Sequence, residues 1–109
     1  MKINNVELEM DIYDADTMEK IEKAITKTVD EINSKQGKTN SETIRIQCTA
    51  IMDCFNDVFG EGTDRQLFGG KTNLMVCLNA FEEFTNEILE QRKKINKLNN
   101  KYNLNKIKR

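Results

Sequence analysis

Residues 39–60, TNSETIRIQCTAIMDCFNDVFG, decide how this chain reads. Ile44, Cys48, Ile51, Met52, Phe55, Val58 and Phe59 recur at spacings of three and four, the period that places side chains on one face of an α-helix. Ahead of that run, Thr39 and Glu42 form a capping-box pattern, in which a hydroxyl and a carboxylate satisfy opposed backbone donors. Gly60 and Gly62 close it. A stripe this continuous has to be covered, so this helix is the expected centre of the core.

Working toward the N-terminus, Lys35-Gln36-Gly37-Lys38 separates it from an earlier amphipathic stretch with Met18, Ile21, Ile25, Val29 and Ile32. Gly37 is expected to end that first helix, which runs to about Ser34, by taking a left-handed conformation. Asp14-Ala15-Asp16-Thr17 supplies capping oxygens and an acidic first turn. Further back, Val6, Leu8, Met10 and Ile12 alternate with Glu7, Glu9 and Asp11. Period two predicts a half-buried strand over residues 6–12. Asn4-Asn5 is turn-like, so Lys2-Ile3 is the expected partner strand of a tight hairpin. A lone hairpin is marginal in water and must lie on the helices or join another chain's sheet.

Toward the C-terminus, Thr63 or Asp64 is expected to cap a short turn carrying Leu67 and Phe68, which Gly69-Gly70 breaks. A last helix is expected from Lys71 or Thr72, with a stripe of Leu74, Cys77, Leu78, Phe81, Phe84 and Ile88 that continues sparsely through Ile95, Leu98 and Tyr102. At ~1.5 Å per residue it would reach roughly 45 Å, more than a core of this size needs, so its end should project. Asn99-Asn100 and Asn103-Leu104-Asn105 lower helix propensity, and the last residues are expected to fray. The fold class is therefore mainly α: an N-terminal β-hairpin or short strand, then three main helices, the last long and projecting. Residues 1–91 are expected as the compact helical domain and 92–109 as a basic helical extension or tail.

With 109 residues there is room for one domain. Hydrophobic residues make up 38% and charged residues 32%, with no Pro or Trp. That balance suits helices with one buried stripe and wide solvated faces, or a subunit that completes its core on a partner. From Arg92 onward there are eight basic residues and no acidic one, which against a net charge of −1 leaves about −9 on the first 91 residues. No apolar run approaches the ~18 residues of a membrane span, and the N-terminus lacks a signal-peptide core, so a cytoplasmic protein is expected.

The residues for catalysis are missing. Histidine is absent, which removes the commonest general base and metal ligand. Cys48, Cys54 and Cys77 are odd in number and wrongly spaced for a zinc site or disulfide framework, and read as buried thiols. Gly70-Lys71-Thr72 imitates the end of a phosphate-binding loop, but Arg65 stands where that signature needs glycine. Asp53, Asp57, Glu61 and Asp64 follow a helix face rather than the alternating ligands of a calcium loop. These readings lead to a non-enzyme without cofactor or metal.

Two stretches carry a resemblance. Lys2-Ile3-Asn4-Asn5-Val6-Glu7-Leu8-Glu9 resembles the opening of small tail assembly chaperones from long-tailed phages, a short strand, a turn and an acidic-apolar strand before a helical body. Phe59-Gly60-Glu61-Gly62-Thr63, continuing through Leu67-Phe68-Gly69-Gly70-Lys71-Thr72-Asn73, looks like a small uncharacterised prophage protein family of Gram-positive bacteria. The resemblance implies a virion-morphogenesis protein in a bacterial host cell. It would hold a tail protein, the tape measure or the tube subunit, soluble until assembly. The basic C-terminus departs from the chaperones.

The expected binding surfaces are the edge carrying Val6, Leu8, Met10 and Ile12, and the far half of the last helix with Arg92, Lys93, Ile95, Leu98, Lys101 and Tyr102. Self-association is expected there too. A virion structural subunit is the competing reading, from the projecting helix, and a small nucleic-acid-binding regulator another, from the basic tail. Nucleic acid is the less favoured partner, because the cations lack interleaved aromatics.

Overall fold

The computed structural model describes residues 1–102. Of the asparagines expected to weaken the last helix, Asn99 and Asn100 are helical, whereas Asn103 and Asn105, with Leu104 and the cations Lys106, Lys108 and Arg109, lie outside the described residues. The fold class is as expected: a short antiparallel hairpin followed by a mainly helical body whose last helix is long.

Strands β1 (Lys2–Ile3) and β2 (Val6–Glu7) pair antiparallel with Lys2 opposite Glu7 and Ile3 opposite Val6. Asn4 and Asn5 both have positive φ, 47° and 65°, the geometry of a tight hairpin turn that asparagine tolerates. Met1 and Leu8 exchange backbone hydrogen bonds of 2.7 and 2.8 Å, which extends the pairing by one step. Beyond Leu8 no partner strand remains among the described residues, so the ladder is shorter than the alternation over residues 6–12 suggests. The alternation persists in burial, with Leu8 and Ile12 buried and Glu7, Glu9 and Asp11 exposed.

Helix α1 (Ala15–Ser34) starts at Asp14, whose carboxylate accepts from the Thr17 N–H at 3.0 Å. Its deepest residues are Ile21, Ala24 and Thr28, while Val29 remains 40% exposed. Met18, Ile25 and Ile32 pack against the same core while partly exposed, so the expected stripe faces inward and Val29 is the member that turns outward. Helix α1 packs chiefly on helix α2 (Asn40–Phe59), and Ala24 and Thr28 are small enough for that approach. The Thr28 hydroxyl donates back to the Ala24 carbonyl at 2.7 Å, so its burial leaves no orphaned group.

The link between α1 and α2 corrects the reading of Gly37. Helix α1 ends on Lys35 in an extended conformation, and Gly37 is not among the residues with positive φ. Glycine is needed for space instead, because a Cβ there would lie 2.5 Å from Glu42 Cβ and 2.6 Å from the Thr43 nitrogen. Thr39 caps α2 by accepting from the Glu42 N–H at 3.2 Å. The Glu42 carboxylate reaches back one residue further than a capping box requires, to the Lys38 N–H at 2.7 Å.

Helix α3 (Thr63–Phe68) corrects a second expectation. Its N-cap is Gly62, left-handed and without a side-chain cap. Asn56 on α2 supplies the missing acceptor, taking the Asp64 N–H at 2.9 Å. Thr63 turns inward, its hydroxyl donating to the Gly60 carbonyl at 2.6 Å. Helix α4 (Leu74–Lys101) begins later than Lys71 or Thr72, because Gly69 and Gly70 both keep positive φ and Asn73 then caps it, accepting from Val76 N–H at 3.1 Å.

The core joins all of these elements around Phe55. Its ring lies 6.2 Å from Phe59, 6.1 Å from Phe68 and 5.5 Å from Phe84, within the range of favourable aromatic packing. Ile3 from the hairpin, Ile21 from α1, Ile51 from α2 and Cys77 from α4 are wholly buried in the same cluster.

Candidate functional site

The long last helix separates into a held half and a free half. Starting at Leu74, its inner stripe steps alternately three and four residues through Cys77, Phe81, Phe84, Ile88, Gln91, Ile95, Leu98 and Tyr102. That is an unbroken heptad seam, the spacing by which one helix meets another along its length. Cys77, Ala80, Phe84 and Ile88 are the buried residues of α4, and none follows Ile88.

The body's grip ends within one turn. Glu83 accepts from the Asn4 N–H at 3.2 Å, and the Asn4 side chain donates to the Leu67 carbonyl at 2.6 Å. Asn4 thereby ties the hairpin turn to α3 and α4 together. Tyr13 donates through its hydroxyl to Gln91 Oε1. Arg92 pairs with Glu22 of α1 at 3.5 Å, on the rim of a groove of about 340 Å³ floored by Met18, Ile21, Ile25 and Ile88. Past Arg92, no hydrogen bond or ion pair joins α4 to another element among the described residues. The stretch 93–101 therefore extends on its own, at ~1.5 Å per residue, for roughly 13 Å. The molecule measures 56 Å along its longest axis against 29 and 21 Å across.

On this free half Leu98 is 53% and Tyr102 59% exposed, and Ile95 is half-buried. Lys93 and Lys101 point to solvent, and Lys101 lies over the Tyr102 ring at 5.5 Å. Arg92, Lys93, Lys94, Lys97 and Lys101 place five cations, with no anion, on one short piece of helix. The other expected surface is used internally. Val6, Leu8, Met10 and Ile12 pack on the chain's own core, because the hairpin has no other cover for its apolar face. Leu8 and Ile12 are buried there, whereas Val6 and Met10 keep part of their surface exposed.

The seam was legible as spacing but easily missed. Gln91 interrupts it with a polar residue, so hydropathy alone reads a sparse stripe where the three-four register continues unbroken.

The chemistry of the interior is quiet. Burial pushes the Cys54 thiol up to about 11. It pushes Cys77 up to about 12, with the neighbouring Cys48 adding to the effect. Thiols in that range stay protonated and unreactive near neutral pH. Burial also raises the Asp53 carboxyl, against the pull of nearby Lys27. Among the described residues no group of three or more Cys, Asp or Glu side chains converges as a metal site would. None of the described helices is long and apolar enough to cross a membrane.

Compared with known proteins, residues 4–109 match the model of a family described as "Family of unknown function (DUF6673)". No curated protein and no solved structure matches the chain.

Proposed function

The chain belongs to this family of unknown function, and from that premise we propose that it is a non-enzymatic binding protein that holds a segment of a phage tail protein during assembly. One observation carries the reading: α4 keeps a helix-pairing seam for three positions, Ile95, Leu98 and Tyr102, after its own core has ended at Ile88. A helix that only closed this core would gain nothing from those positions. The order of hairpin and helices supports the phage assignment through its resemblance to tail assembly chaperones. The partner is then the tube subunit or the tape measure protein, gripped by the free half of α4 in the cytoplasm of the bacterial host.

Co-expression tests this directly. Phage tail tube and tape measure proteins co-expressed with this chain should gain solubility and be retained on it through purification. Retention of neither overturns the proposal. The projecting helix also favours a second reading, a structural subunit of the virion. Mass analysis of purified particles separates the two, because an assembly factor is absent from the finished particle and a subunit is present.

A further inference from the structure

We infer that the free half of α4 is one strand of a mixed coiled coil whose missing strand is an acidic amphipathic helix of another protein; this names the partner chemistry of the binding role proposed above and rests on it. The seam sets the kind of partner. Ile95, Leu98 and Tyr102 continue the register of Cys77, Phe84 and Ile88, which are buried nearer the body, and a second helix is what fills positions of this spacing.

Charge selects which helix. Lys94 and Lys101 stand seven residues apart along one side of the seam, and Arg92 lies on the other side. In a paired helix these flanking positions face the partner's flanking positions, where opposite charges stabilise and like charges destabilise the pair. The same segment of a second copy would bring five cations against five, in either direction. Helix α1 of a second copy is a poor substitute, because Lys20, Lys23 and Lys27 interrupt its acids. Lys23 already pairs with Glu19 at 3.0 Å, and Lys27 with Asp57 at 3.5 Å. Nucleic acid would engage the cations and leave Ile95 and Leu98 in water. An acidic helix with apolar residues at three-four spacing satisfies the cations and the seam together.

The probe is a labelled synthetic 21-residue helix, with Leu and Ile along its seam and Glu at both flanks, added to the full chain and followed by fluorescence anisotropy. A control peptide carries Lys in place of every Glu. The acidic peptide should bind at least tenfold more tightly, and added salt should weaken it. The double variant Ile95→Asn, Leu98→Asn should lose at least tenfold while its thermal midpoint holds, since both sites lie outside the core. The variant Lys94→Glu, Lys101→Glu should reverse the preference between the peptides.

Equal binding of both peptides, or of neither, overturns the inference. So does tight binding of a 20-base-pair DNA duplex that the Asn variant leaves unchanged, and so does concentration-dependent dimerisation that the Asn variant abolishes. If a tail protein is retained equally by the Asn variant, this inference fails and the binding role stands. Selective binding of the acidic peptide without retention of any tail protein supports the inference and overturns the tail-protein role.

Discussion

Replacing Phe84 by Ala separates the held half of α4 from the free half. Phe84 is completely buried, with its ring 5.5 Å from Phe55 and 5.6 Å from Phe59. Truncation removes the aromatic link from α4 to α2 and leaves a cavity that helices fixed elsewhere cannot close. Such changes cost about 3–5 kcal/mol. For a domain of this length the whole stability is about 5–15 kcal/mol, so the loss is a large share of it. With a urea dependence of about 1–3 kcal/mol per molar, the midpoint should fall by at least about 1 M. Leu98→Ala is the matched control on the same helix and stripe. Its side chain is already 53% exposed, so the change should stay within about 0.5 kcal/mol. The assay is urea unfolding of both variants followed by circular dichroism, at two protein concentrations. If Leu98→Ala costs as much as Phe84→Ala at both concentrations, the free half is packed on its own body and the argument for an unfilled seam is wrong.

Gly37→Ala should lower the midpoint of thermal unfolding, with a cost of about 1–3 kcal/mol for forcing a methyl against the first turn of α2; an unchanged midpoint would show that the linker yields. Thr39→Ala should cost about 1 kcal/mol by removing the α2 cap, read from the same melts. Asp14 has its carboxyl held below the ordinary value, first by the Thr17 N–H and then by the Thr17 hydroxyl. Its contribution is present above the unfolded carboxyl value and is lost as pH falls through the lowered folded one. Asp14→Asn should therefore lower stability modestly at neutral pH, where that contribution is present, and converge with the parent chain below about pH 4, which flattens the acid limb. Iodoacetamide at pH 7.5 should leave Cys48, Cys54 and Cys77 unmodified in the native chain and label all three in urea, as mass spectrometry would show; rapid native labelling would contradict their burial.

Features governed by neighbours in sequence were readable without a structure. The cap on Asp14, the Asn4-Asn5 turn, the Thr39 cap and the Gly69-Gly70 break each depend on a few consecutive residues and their own backbone preferences. The stripe of α2 was equally plain, because a central helix shows its period in large side chains. What failed did so where a second element decides. On α1, Ala24 and Thr28 are buried and Val29 is not, because close helix packing favours small residues that hydropathy ranks low. Gly37 answers to the space beside α2's first turn and not to backbone handedness. The cap of α3 comes from Asn56, on a different helix.

The candidate surface divides along the same line. By itself the sequence determined that the chain carries no histidine, that its cations collect after Arg92, and that the last helix runs on in a helical register, because these are properties of composition and spacing. Only the tertiary structure decided where that register stops being used internally. Leu8 and Ile12 prove to be core because the hairpin folds onto the body. Ile95, Leu98 and Tyr102 stay outside it because contacts from Tyr13 and Glu22 end at Gln91 and Arg92. Spacing says which face of a helix can be covered; how far along it the cover extends depends on where the rest of the chain lies.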